Sequence, residues 1–244
     1  MKNWLKIALV AVLILFAVSG ILLFNWTNSV YESTIPLSRY SDDIHYRVED
    51  HEVTTFNPLE PNKTGIIFYH GGGVAHDAYA YIGEGLARQG YTVYFPDMPL
   101  SLAVLNPNVA ERIIGDNAQI NKWVISGHSL GGAMASAFTA DQEDLIDGIM
   151  LLAAYPPDNG SLKDVDIPQL AIFGERDGLV TKDKREAGVK LLSDNASVIL
   201  LQGGNHAQFG HYGFQSGDLD ADISADMQRD IVIKEFLHFL SQFQ

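Results

Sequence analysis

Hydrophobic positions along this chain follow three patterns. Ile7 to Phe24 (IALVAVLILFAVSGILLF) is an uncharged apolar run of 18 residues. Tyr46 to Phe56 (YRVEDHEVTTF) alternates apolar and polar positions, the period of a half-buried strand, and predicts an early strand or hairpin before the turn residues Asn57 to Thr64. Six short apolar runs follow: Gly65 to His70, Tyr91 to Pro96, Lys122 to Gly127, Gly148 to Tyr155, Pro168 to Gly174 and Ala196 to Gly204. Being continuous rather than alternating, they predict strands buried on both faces, as in a parallel sheet. Helix-like stretches lie between them at Asp77 to Gln89, Asn108 to Asn121, Leu130 to Ala140 and Lys182 to Leu192, the first closed by Gly90. A final helix is expected over Ala225 to Phe243, capped by Ser224, with Met227, Ile231, Phe236, Leu240 and Phe243 on its apolar face. Alternating strands and helices predict an α/β fold, a mostly parallel sheet flanked by helices on both faces, with right-handed crossovers and function at the carboxyl ends of the strands.

Composition narrows what such a fold does. The 47% hydrophobic content excludes disorder, the absence of Cys excludes a disulfide framework or a thiolate metal site, and 19% charged residues is too few for a coiled coil. A net charge of −14 argues against nucleic acid as a partner, since phosphates are held by Lys and Arg patches. The long apolar run has Lys2 and Lys6 before it, Trp26 after it and no further Lys or Arg until Arg39. It therefore reads as a transmembrane signal anchor over 7–24, with a cytoplasmic tail over 1–6 and the rest on the extracytoplasmic face of the cell membrane. A cleaved signal peptide ending near Ala17 and Ser19 is the competing reading. Residues 25–60 are then a connector with the first strands, and 61–244 a single domain bearing the chemistry.

Four strand ends carry reactive residues. GHSLG, Gly127 to Gly131, sits between an apolar strand-like run and a small-residue helix. A nucleophile elbow needs this layout, because Ser129 would occupy a sharp strained turn where only glycines leave room. HGGG, His70 to Gly73, follows the first long run. Its backbone N–H groups, from Gly72 or Gly73, would form an oxyanion hole with that of Leu130, and Val74 is a further candidate donor. Asp177 in FGERDG and His206 in GGNH follow Ser129 by 48 and then 29 residues. In that order Ser129 would attack an acyl carbon, His206 would move its proton and Asp177 would orient the imidazole. Glu175 is the rival acid. His70 reads as a support of the glycine loop, His128 as the variable position of the elbow, and His45, His51, His76, His211 and His238 as surface or core residues.

At these residues the chain resembles the α/β-hydrolase superfamily from about Thr64 to Gln244. It is most similar to a group of small bacterial hydrolases, often exported and membrane-anchored, related to dienelactone hydrolases and esterases. FPDMPLSLAVLN (Phe95 to Asn106), GHSLGGAMA, IFGERDG and GGNHAQFGHYGFQSGD (Gly203 to Asp218) carry the resemblance. It implies a serine hydrolase of carboxylic esters, using Ser129, Asp177 and His206 through an acyl-enzyme and needing no cofactor. An acyltransferase or amidase with the same triad, or a non-catalytic binding protein of this fold, are the alternatives. HGGG is a lipase-like spelling where the group often has another tetrapeptide. Only Pro156 to Ile167 separate the fourth and fifth runs, where many relatives insert a cap, so a minimal cap and an open site for small acyl substrates are expected. Phe209, Tyr212, Phe214 and the MPLSL loop are candidates to line an acyl pocket, with core packing the equal alternative for the three aromatics. Asp218, Asp220 and Asp222 look like the start of a calcium loop but lack its glycine, with Ile223 there, and its terminal Glu, with Arg229 there. A solvated turn without metal is the expectation.

Overall fold

The structure, a computed structural model, describes residues 12, 15, 18, 26, 29–41, 43 and 45–243. The expected cytoplasmic tail and all but three positions of the expected anchor lie outside the described residues. Among those described, no helix is long and apolar enough to cross a membrane. The chain divides into Met1–Val30 and Tyr31–Gln244, and the second unit holds the sheet and every motif above.

Each expected run forms a strand. The order is β1 (Tyr46–Glu49), β2 (Val53–Pro58), β3 (Thr64–Tyr69), β4 (Thr92–Pro96), β5 (Lys122–His128), β6 (Gly148–Leu152), β7 (Gln169–Gly174) and β8 (Ser197–Leu201). Helices α1 (Ala80–Ala87), α2 (Val109–Asp116), α3 (Leu130–Asp141), α4 (Lys182–Gly188) and α5 (Ala225–Leu240) intervene, with short 3-10 turns between them. One sheet of eight strands results, ordered β1-β2-β4-β3-β5-β6-β7-β8; β1 and β2 are antiparallel to their neighbours and the rest run parallel. The hairpin expected from alternation is therefore part of the same sheet, because β2 pairs its backbone with β4.

Side-chain alternation along the central strands builds two cores. Ile66, Phe68, Val124, Met150, Leu152, Leu170 and Ile172 face α1 and α5, where they meet Ile82, Leu86, Val232 and Phe236. Ile67, Tyr69, Trp123, Ile125, Ile149, Leu151 and Phe173 face α2 and α3, against Val109, Ile113, Ala135 and Phe138. Burial on both faces is what leaves β3 to β7 no polar alternation to show. The last run departs from that expectation. β8 has only β7 beside it, and Val198 and Leu200 stand 43% and 38% exposed.

Helix α5 departs as well. Ser224 caps it as expected, its Oγ accepting the N–H of Met227. Phe236 and Leu240 face inward as expected, but in the first half of the helix Met227 is exposed while Gln228 and Val232 are fully buried, so there the inward face is offset by one residue. The cause is polar: the Gln228 amide is committed to the backbone of Asn205.

The strand order reverses at β3, whose crossover partner β4 lies on one side and β5 on the other. Such a switch point opens a crevice at the carboxyl ends of the strands, because the following connections leave in opposite directions. HGGG emerges from β3 and GHSLG from β5, and the two strands are in register up to Tyr69 opposite Gly127.

Candidate active site

Ser129 lies between the end of β5 and the first residue of α3, with φ 52° and ψ −121°. That backbone region is sparsely populated for any residue with a Cβ and costs on the order of 1–3 kcal/mol. The strain is held by the surroundings: Ser129 N–H donates to Leu152 O at 3.0 Å, and its carbonyl accepts the N–H of Ala133 at 3.1 Å. The hydroxyl makes no capping bond to the helix it precedes, so it is uncommitted to the backbone. Glycines make the turn possible. A Cβ on Gly127 would sit 2.6 Å from Gly132 N, and one on Gly131 would collide with the carbonyl oxygens of Tyr69 and His70.

Asp177 and His206 come together although they follow different strands. His206 Nδ1–H donates to Asp177 Oδ2 at 2.8 Å, with the two side chains 0% and 1% exposed. The other carboxylate oxygen accepts the N–H groups of Leu179 at 2.8 Å and Val180 at 2.6 Å. The acid is thereby fixed in orientation, and His206 Nε2 is left as the acceptor nitrogen. That Nε2 is buried and has no hydrogen-bond partner, so the Ser129 hydroxyl is not yet bonded to it. Glu175 is placed elsewhere, its carboxylate accepting the N–H of Gly203.

The glycine loop distinguishes among its own N–H groups. Gly71 N–H donates to the Tyr79 hydroxyl at 3.2 Å, Gly73 N–H to Ser101 O at 2.8 Å and Val74 N–H to Gly71 O at 3.2 Å. Among the described residues, the N–H groups of Gly72 and Leu130 are given no acceptor. They are neighbours, since a Cβ on Gly72 would lie 2.9 Å from Leu130 Cδ2. Gly73 and Val74 are committed to backbone acceptors, which leaves the N–H groups of Gly72 and Leu130 side by side.

His128 packs on His206, ring centroids 4.5 Å apart. The Tyr79 hydroxyl accepts Gly71 N–H and is hydrogen-bonded to His128 Nδ1 at 2.8 Å, tying the glycine loop to the elbow. Sequence patterns did not mark Tyr79, because its partners lie 8 and 49 residues away. Burial, reinforced by the charge His206 can carry, pushes the His128 imidazole well below its ordinary pKa. Burial also lowers His70, and takes His211 down to about 4. The consequence has a sign. Above the unfolded value near 6.5, His128 is neutral in both states; below it the unfolded chain gains a proton that the folded one refuses, so stability falls with pH. His128→Gln is expected to flatten the pH dependence of the urea midpoint between pH 6 and 5, by about 1.4 kcal/mol per pH unit. An unchanged slope would mean that His128 protonates freely in the fold.

Beside Ser129 lies a cavity of about 210 Å³ lined by Leu130, Ala133, Ala153, Ala154, Tyr155, Pro157 and Val180. Of the aromatics left open between pocket and core, Phe209 and Tyr212 belong to the core, and Phe214 is 66% exposed. They pack because the loop after His206 folds back under α1, where Tyr81 donates its hydroxyl to Phe209 O. The β6–β7 connection holds only a 3-10 turn, Asp158–Gly160, so no cap stands over this cavity from that connection. Asp218 also differs from expectation, being buried rather than in a solvated turn.

A family model described as the alpha/beta hydrolase family matches residues 65–230. The chain belongs to that family. Among solved structures it resembles a predicted CIB-like hydrolase from Thermoplasma acidophilum (TM-score 0.58, 18% identity, covering 78% of this chain and 96% of that one). A dienelactone hydrolase from Anabaena variabilis (0.57, 16%, 80% and 98%) and a monoacylglycerol lipase from Paleococcus ferrophilus (0.60, 14%, 79% and 99%) are similar to the same extent. At these identities the likeness is one of fold. No curated protein matches the sequence.

Proposed function

We propose that the protein is a serine hydrolase of carboxylic esters, with Ser129 as nucleophile, His206 as general base and acid, and Asp177 as its orienting carboxylate. The observation that carries this reading is the buried Asp177–His206 bond at 2.8 Å beside a strained Ser129 and the two uncommitted N–H groups of Gly72 and Leu130. His206 Nε2 accepts the Ser129 proton as Oγ adds to the ester carbonyl. The oxygen that gains charge is met by the N–H groups of Gly72 and Leu130, which are already oriented and need no rearrangement. Collapse expels the alcohol, which takes the proton from His206, and water activated by the same nitrogen then releases the acid. Through both steps Asp177 stabilises the imidazolium by charge and hydrogen bond. Labelling of the full-length chain by a fluorophosphonate, lost in Ser129→Ala, tests the assignment; a folded chain that resists labelling would sink it.

The cavity bears on chain length. At about 30 Å³ per water-sized group, 210 Å³ admits about seven such groups, fewer than the ~300–1,000 Å³ sites that hold drug-sized ligands. With nitrophenyl esters, kcat/KM is expected to rise about fourfold per methylene from acetyl, at ~0.8 kcal/mol each, and to turn down beyond about six carbons. Ala133→Leu, which fills the cavity, should move the optimum to acetyl. A profile still rising at twelve carbons, or an optimum unmoved by Ala133→Leu, would show that the acyl chain lies elsewhere.

A further inference from the structure

The sequence marked Asp218 only as the start of an incomplete calcium loop, and the hydrolytic mechanism above leaves it unused. We propose that Asp218 is a positioning residue, a buried carboxylate that holds the Asp177 turn and the His206 turn in register; the role in catalysis rests on the triad reading above. The two turns follow different strands, β7 and β8, and each must be set to a fraction of an ångström for the 2.8 Å bond between them to form. Asp218 is 8% exposed. Its Oδ1 accepts the N–H of Gly178 at 2.9 Å, and Gly178 directly follows Asp177. Its Oδ2 accepts the N–H of Ala207 at 2.8 Å, and Ala207 directly follows His206. Oδ1 also accepts the N–H of Leu219 at 2.9 Å. One planar group of fixed width therefore spans the residues next to both the acid and the base.

The surroundings are shaped for this contact. Gly217 turns the chain at φ +88°, and Gly178 has no room for a side chain because a Cβ there would collide with Gly217 O. On the other side of His206, Gln228 of α5 brackets Asn205, its Oε1 accepting Asn205 N–H at 3.0 Å and its Nε2 donating to Asn205 O at 2.8 Å. Asn205 Nδ2 in turn donates to Leu219 O at 2.7 Å. His206 is thus fixed through both chain neighbours, and the Asp177 turn is joined to it through Asp218. Bonds from N–H groups to a buried carboxylate are short, charge-assisted and little screened, which suits them to hold a geometry. The same three donors are the partners of an anion and leave Asp218 poorly placed to ligate a cation.

Asp218→Asn tests the proposal in the full-length chain. The shape is kept, but an NH₂ replaces one oxygen, so one of the two turns faces a donor instead of an acceptor. With a butyrate nitrophenyl ester, kcat is expected to fall about 10- to 100-fold with KM within about threefold, the size of effect that a misplacement near 1 Å produces. The low-field proton resonance of His206 Nδ1–H, assigned by its loss in His206→Gln, is expected to move upfield or broaden. Ile149→Val, a core change in β6, controls for loss of stability alone and should alter neither. Should Asp218→Asn not fold, Asp218→Ser, which leaves space for water to take the three N–H groups, carries the same expectations. A folded variant with an unmoved resonance and kcat within twofold overturns the proposal, as does an equal kcat loss in Ile149→Val. If the wild type turns over no ester but the resonance still depends on Asp218, the clamp stands and the esterase reading falls.

Discussion

Ser129→Ala is expected to lower kcat on activated esters by about 10⁴- to 10⁶-fold, the range seen when a triad nucleophile is removed. Residual turnover should remain above that of water alone, because the N–H groups of Gly72 and Leu130 and the cavity are untouched. Stability should not fall, since Ala meets the same backbone penalty at φ 52° and the Ser129 hydroxyl makes no helix-capping bond. Ser129→Gly should be equally inactive yet more stable by about 1 kcal/mol, through release of the strain. The pair separates chemistry from strain. If Ser129→Ala kept more than a hundredth of wild-type kcat, the nucleophile would be another group. If Ser129→Gly gained nothing, the turn would not be strained in solution.

Gly131→Ala should lower the unfolding free energy by at least about 3 kcal/mol, beyond the usual effect of overpacking. The obstacle is backbone on every side. A Cβ at this position meets Tyr69 O and His70 O at the end of β3, and Gly127 across the turn is equally crowded by Gly131 and Gly132. Neither partner yields, because β3 is paired on both edges and α3 is fixed to the sheet. Gly115→Ala supplies the opposite case. That glycine is exposed in α2 with nothing within 4 Å of an added Cβ, so the same substitution should stabilise by about 0.5–1 kcal/mol. Urea midpoints of the two variants should therefore move in opposite directions. A Gly131→Ala midpoint within about 1 kcal/mol of wild type would mean that the strand and helix stand further apart than described.

Where the sequence was legible, a local pattern carried the information. Strands β3 to β7 announced themselves because burial on both faces demands an unbroken apolar run, and the elbow because a strand-to-helix reversal tolerates only small neighbours around Ser129. Asp177 was favoured over Glu175 from its place in a polar turn, and the geometry agrees, with Glu175 instead holding Gly203 N–H. The failures share a cause. Gln228 faces inward and Met227 outward because a polar side chain inside α5 is matched to the Asn205 backbone, which hydrophobic periodicity does not register. For Phe209 and Tyr212 apolarity alone left pocket and core equally open, and packing under α1 put them in the core. Asp218 was read as solvated because its three partners, two of them 40 and 11 residues away, are backbone N–H groups that no side-chain pattern reveals.

The succession of strands and helices along the chain, the glycines at the elbow and the three residues proposed for the chemistry were thus legible in the sequence alone. Each follows from spacing, side-chain volume or the backbone conformation a residue tolerates, all of which are local. Tertiary structure decided which N–H groups stay uncommitted in the glycine loop, which histidine stays neutral against its neighbour, and which carboxylate joins the two turns. Those outcomes depend on where distant donors and acceptors meet once the sheet has formed. The partner of Gly73 is Ser101 O, and Asp218 meets the N–H of Gly178, because the ends of neighbouring strands bring them within hydrogen-bonding distance.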